Sequence, residues 1–278
     1  MKTDERPRKN GSQTDSTAET EFGTYASPLI HEAIEQASAI DTDPDAEVLH
    51  KLRVALRRLR TLLWAYRPIL DPEFDNQQRA LYKALASSAG NTRDWDILIA
   101  LLSDLKETEL IAGLRQSRDA ALKDSRRTLS RTSIKKVLQD ALKEANKELN
   151  TAPQRTPLNK FAYKRVAAAE EQLTKRMKRA SDSKRSDYAA FHEVRKAGKK
   201  VRYLLEFFEP LLSKKQRNGV KELKRLQKRF GALNDVVASR DLLQNNAGSL
   251  PNEDAVASAM RALKKEQKRR VRAAAKLL

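Results

Sequence analysis

The chain of 278 residues carries 56 Lys and Arg against 37 Asp and Glu, a formal net charge of +19, so its surface must project a positive field toward nucleic acid, an anionic membrane or an inorganic polyanion. The absence of cysteine excludes disulfides, thiolate catalysis and thiolate metal sites. No signal-peptide core opens the sequence, and the longest aliphatic run, Ile97 to Leu102, is far too short to cross a bilayer; a soluble, cytoplasmic protein without membrane insertion is expected.

Residues 1–22 mix Lys, Asp, Ser, Thr and Gly with few apolar side chains. Such a composition cannot offset the entropy of ordering, and a flexible tail is expected there. Beyond it apolar residues recur at spacings of three and four, without the alternation or β-branched enrichment of strands. The expected fold class is all-α. Clusters of Pro, Gly, Asn and Asp divide the pattern into helices over 27–40, 45–67, 73–89, 93–106, 109–149 (with Gly113 as a candidate interruption), 157–180, 187–209, 214–230, 235–245 and 252–276. Thr151–Pro157, with two prolines, reads as the linker between a first bundle of about 23–150 and a second of about 158–278, related by a pseudo-twofold axis.

A repeat supports that division. His50-Lys51-Leu52-Arg53-Val54-Ala55-Leu56-Arg57-Arg58-Leu59-Arg60 returns 142 residues later as His192-Glu193-Val194-Arg195-Lys196-Ala197-Gly198-Lys199-Lys200-Val201-Arg202. Cations follow each His at the third, seventh, eighth and tenth positions, and each copy runs on to Pro68-Ile69-Leu70 or Pro210-Leu211-Leu212. Packing alone would preserve only the apolar pattern, so the cations are expected to serve a common purpose. A weaker repeat aligns Leu85 to Asp94 with Leu226 to Asp235. In both, a helix is expected to end at Gly90 or Gly231 and the next to start at Asp94 or Asp235.

At 100° per residue, His50, Arg53, Arg57 and Arg60 fall within roughly 80° of arc, and Leu52, Leu56, Leu59 and Leu63 lie at roughly 180–240° from His50. His192, Arg195, Lys199 and Arg202 repeat that phase. The basic stripe therefore borders the core face and should line a groove or cleft. A charge run on a helix is usually a solvated face, but duplication in phase weighs against that here. Like charges one turn apart repel by a few tenths of a kcal/mol per pair, and the first copy has no acidic residue placed to neutralise them, which leaves an external anion as the counter-charge. Lys83 aligns with Lys224, and Lys221 and Lys228 flank the latter by one turn. Their counterparts Ala80 and Ser87 are uncharged, so the second half is expected to bind anions more strongly.

Other chemistry has little support. The three histidines, at 31, 50 and 192, form no local ligand pair, and no metal or cofactor is expected; His31 reads as structural. Asp94 and Asp96 form a D-x-D pattern that a metal-dependent phosphohydrolase could use, but Val237 replaces the second acid in the other half. Asp94 and Asp235 therefore read as helix-start residues or partners of stripe arginines. No P-loop, nucleophile elbow, HExxH or GxGxxG occurs, so no catalytic residues are expected.

Taken in order, His50 to Arg60, Gly90-Asn91-Thr92-Arg93-Asp94, His192 to Leu205 and Gly231-Ala232-Leu233-Asn234-Asp235 resemble the CHAD family, the conserved histidine α-helical domain. The resemblance spans roughly Pro28 to the C-terminus. It implies two four-helix bundles with a basic cleft or pore between them, which binds inorganic polyphosphate without catalysis and brings the protein to polyphosphate granules. Family members are often fused to a CYTH-type triphosphatase domain marked by ExExK. Glu19-Thr20-Glu21-Phe22-Gly23 fails at the lysine, so the chain looks like a stand-alone member. On this reading the binding set is His50, Arg53, Arg57, Arg58, Arg60, Lys83, Arg93, His192, Arg195, Lys199, Lys200, Arg202, Lys221, Lys224 and Lys228. The low aromatic content, 5%, suits a ligand without bases. Nucleic acid remains the alternative partner that charge alone permits.

Overall fold

The computed structural model describes residues 16–40, 42, 46–105, 107–184, 187–214, 216 and 219–278; residues 1–15 of the expected tail lie outside them. Among the described residues the fold is all helical, with α1 (Ala18–Ala39), α2 (Ala46–Tyr66), α3 (Pro72–Ser88), α4 (Asn91–Leu102), α5 (Thr108–Ser130), α6 (Ile134–Thr151), α7 (Leu158–Asp182), α8 (Tyr188–Phe207), α9 (Val220–Asn246) and α10 (Glu253–Ala275). The motif repeat is structural: α2 and α8 each end in a 3-10 turn, Arg67–Ile69 and Glu209–Leu211, at the matched prolines.

Three boundaries differ from the sequence expectation. Residues 16–22, expected to belong to the tail, are part of the fold. Thr17 caps α1, the Ala18 N–H donates to the Thr156 carbonyl at 2.9 Å, and the Leu158 N–H donates to the Ser16 carbonyl at 3.0 Å. Glu19 and Phe22, only 2% and 4% exposed, anchor this first turn against the linker that precedes α7. The expected 109–149 helix breaks at Arg131–Ser133 and continues through Gly113. A Cβ on Gly113 would stand 2.6 Å from Pro251 Cδ, so glycine here admits the loop before α10. In the second half the expected break at Gly231 is absent, because α9 runs through it and Asp235 starts no helix. One internal glycine costs about 1 kcal/mol of helix propensity, and Leu226, Phe230, Leu233 and Val237, buried on either side of Gly231, outweigh it.

The core lies in two clusters that cross the 151–157 boundary. The larger draws on α1, α2, α3, α6, α7, α8 and the first half of α9, with Val271 and Ala274 from the end of α10. The smaller joins Trp95, Leu98 and Leu102 of α4 and Leu110 and Leu114 of α5 to Leu243 of α9 and Ala255, Val256, Ala259 and Leu263 of α10. The halves of the sequence are thus intercalated, with α4 packed on α9 and α2 against α8. That last pairing brings the two basic stripes together. No helix among the described residues is long and apolar enough to cross a membrane.

Candidate anion-binding cleft

Because α2 and α8 pack with their stripes turned the same way, Arg53 and Arg57 face Arg195, Lys199 and Arg202 across one cavity of about 480 Å³. Its remaining wall comes from Arg93 and Asp94 on α4 and from Lys224, Lys228, Gly231, Asn234 and Asp235 on α9, with His50 on the rim of α2. A second cavity of about 320 Å³ shares Arg57, Arg195, Lys199 and Tyr203 with the first. It continues past Arg60, Trp64, Arg79, Arg176, Glu193, Lys196 and Lys200. Arg57, Arg195 and Lys199 thus form a cation-rich wall common to both cavities.

The carboxylates nearby are too few to neutralise it. Asp94 receives Arg53 Nη1 at 3.4 Å, and the same nitrogen donates to the Gly90 carbonyl at 3.3 Å. A Cβ on Gly90 would fall 2.6 Å from that nitrogen, so the glycine of the motif is what lets Arg53 lie across the α3–α4 junction. Glu193 pairs with Arg176 and Lys196, and Asp75 with Arg67 and Arg79 at 3.4 and 3.3 Å. Arg57, Arg195 and Lys199 form no ion pair among the described residues, and Nε of both Arg60 and Arg195 is buried without a hydrogen-bond partner. Burial, opposed by Tyr203 and reinforced by Arg195, Arg53 and Arg60, pushes the Arg57 guanidinium down to about 10. Burial with Arg57, Arg195 and Arg53 brings the Lys199 ammonium to about 6. Lys200, buried and facing Arg176, Arg79 and Arg165, falls to about 8. In each case burial is the largest cause, and the neighbouring cations add to it.

The sequence-derived set divides accordingly. His50, Arg53, Arg57, Arg93, Arg195, Lys199, Arg202, Lys224 and Lys228 line the first cavity, and Arg60 and Lys200 the second. Arg58, Lys83, His192 and Lys221 line neither. Arg58 lies 3.6 Å from Glu206 and over the Tyr203 and Phe207 rings, while Lys83 and Lys221 are exposed. The two motif histidines part company. His192 Nδ1 sits 3.1 Å from Asn234 Oδ1, which also accepts from the Tyr188 hydroxyl at 2.8 Å, so it supports α9. Nδ1 of His50 is buried without a partner, and burial, then Arg93, Arg53 and Arg57, keep this histidine below its ordinary value against the pull of Glu47.

Arg79, Arg176, Lys196, Trp64 and Tyr203 were not in the expected set. Arg79 precedes Lys221 by the 142 residues of the main repeat, which was the available signal for it. Arg176 has none, because only the packing of α7 on α8 brings it to the cavity. Of the two aromatics there, Tyr203 is buried and Trp64 is already covered by cations: Lys200 Nζ lies 4.0 Å and Arg165 Cζ 4.2 Å from its centroid. The D-x-D acids separate, Asp94 to Arg53 and Asp96 to Arg118 Nε at 3.1 Å. Among the described residues no three His, Asp or Glu side chains converge as a metal site.

Comparison with known proteins places this arrangement. No curated protein matches the chain. The crystal structure of the CHAD domain from the plant Ricinus communis is similar over 96% of this chain and 94% of that one, with TM-score 0.80 and 25% sequence identity. PptA from Streptomyces chartreusis shares the fold over 94% of this chain and 98% of that one, with TM-score 0.70 at 17% identity. The profile of the CHAD domain matches residues 25–244, most of the chain, which therefore belongs to the CHAD domain family.

Proposed function

We propose that the chain binds inorganic polyphosphate, without catalysis, in the cleft between α2 and α8, and that this binding associates it with cytoplasmic polyphosphate granules. The observation that carries the reading is the meeting of Arg57 with Arg195 and Lys199, one side from each copy of the repeat, without a carboxylate to pair them. A flexible chain with about one charge per phosphate can supply oxygens to successive cations, and guanidinium groups match them in charge-assisted, often bidentate hydrogen bonds. His50, Arg53, Arg60, Arg93, Lys200, Arg202, Lys224 and Lys228 extend the track in both directions. Arg58, Lys83, His192 and Lys221 act from outside it, His192 by holding Asn234 and Lys83 and Lys221 by raising the local field. The cation-covered Trp64 leaves little room for base stacking, the usual source of affinity for single-stranded nucleic acid.

The deciding experiment is a competition at equal phosphate concentration. Long-chain polyphosphate bound to the full-length protein should resist displacement by single-stranded and duplex DNA; ready displacement would make nucleic acid the partner.

A further inference from the structure

Lys199 stands where the two cavities meet and lines both. The other lysines differ. Lys200 donates to Gln172 Oε1 at 3.1 Å and lies on Trp64, Lys196 pairs with Glu193, and Lys224 and Lys228 lie on the exposed side of α9. Lys199 makes no ion pair or hydrogen bond among the described residues. The charged groups that act on it are Arg53 and Arg57 from α2, Arg195 from its own helix and Asp235 from α9. With its ammonium brought to about 6, most of the population at pH 7 presents an amine lone pair to the cavity. The guanidinium groups around it are at the same time a receptor for phosphate. An electrophile whose leaving group is phosphate is therefore both attracted to this amine and aligned on it.

We propose that Lys199 is a site of acylation by small acyl phosphates, with Arg57 and Arg195 holding the phosphoryl group. The amine attacks the carbonyl carbon and a C–N bond forms. The C–O bond to phosphate breaks, and phosphate departs with one amine proton as hydrogen phosphate. The free amine can regain its proton beside a bound polyanion, whereas the amide that remains cannot, so the reaction lowers the cavity's capacity for polyanions. The inference rests on the anion-binding reading of this cavity.

The test exposes the full-length protein to acetyl phosphate between pH 5 and 9 and quantifies acetylation at each lysine by peptide mass spectrometry. At pH 7 Lys199 should react roughly 15- to 50-fold faster than exposed Lys221, after allowing for the weaker intrinsic nucleophilicity of a low-pKa group. Its rate should level off above about pH 6. Arg57→Gln should slow the reaction with acetyl phosphate several-fold more than the reaction with N-hydroxysuccinimidyl acetate, which carries no phosphate. Acetylation of wild-type Lys199 no faster than Lys221 overturns the proposal, whatever a polyphosphate titration shows. Equal slowing of both reagents in Arg57→Gln overturns the phosphate-holding role. Fast acetylation that bound polyphosphate fails to suppress upholds the site and instead removes polyphosphate from this cavity.

Discussion

A Cβ placed on Gly90 would come within 2.6 Å of Arg53 Nη1, whereas one placed on Gly231 meets nothing within 4 Å. The two glycines occupy matched positions of the repeat, yet only the first is held by a close approach. Gly231→Ala should therefore stabilise α9 by about 0.5–1 kcal/mol, read as a higher urea midpoint at unchanged m-value. Gly90→Ala displaces the far end of a flexible side chain, so its cost in stability should be about 1 kcal/mol; the larger effect is loss of the Arg53–Asp94 pair and weaker polyanion binding. Lys199 gives a signature in pH. Its folded value of about 6 lies below the ordinary 10.5, so between these limits the unfolded chain binds more protons and the group's contribution to stability rises with pH. In the absence of polyanion, the melting temperature of wild type relative to Lys199→Met should increase from pH 6 toward pH 10. A flat difference would mean that the amine is solvated.

At the scale of elements, the first turn of α1 shows how a segment of tail-like composition becomes structure. The Glu19 carboxylate accepts the Thr156 N–H at 2.9 Å. Burial alone would raise its pKa, but hydrogen bonds from Thr156 and Thr17 outweigh burial and hold it below the ordinary range. Glu19→Ala should cost about 1.5–3 kcal/mol near neutral pH, as for a hydrogen bond to a charged group. A carboxylate held low in the folded state contributes fully above its unfolded value of 4.5, so the difference between wild type and variant should shrink as pH falls below it; chemical denaturation at pH 7 and pH 3 measures this. The same element marks the reach of the sequence. The helical phase of His50, Arg53, Arg57 and Arg60 is local information, and the cleft face of α2 and α8 follows from it. What seats Glu19, merges two expected helices into α9 and carries Arg176 to the cavity is contact between segments far apart in the chain, which no local period encodes. Gly231 misled for the same reason, since a helix-breaking signal was overridden by buried neighbours on both sides.

Across the whole molecule, the two halves are joined by rings. Phe22 lies 4.9 Å from Tyr66, Tyr66 4.8 Å from Phe161, Phe161 6.2 Å from Phe208, and Phe208 5.4 Å from Tyr25. This chain of aromatics crosses from α1 and α2 to α7 and the turn after α8, and with the shared core it makes the halves one cooperative unit. Phe161→Ala should cost about 3–5 kcal/mol while urea unfolding remains a single transition; two transitions would show that the halves fold independently. Such rigidity matters to function because it holds like charges at the cleft against their repulsion. The cations come from both copies of the repeat, so both copies should grip the same polyanion. Titration of full-length protein with long-chain polyphosphate, comparing wild type with the Arg57→Gln, Arg195→Gln double variant, is the decisive measurement. Neither arginine forms an ion pair among the described residues, Asp235 acting on Arg195 only from beyond ion-pair distance, so the variant should fold with little change in stability. Its affinity should fall on the order of 100-fold or more, with a shallower decline of log affinity against log salt than wild type shows. Unchanged affinity and salt slope in a folded double variant would place the polyanion elsewhere, away from the two stripes.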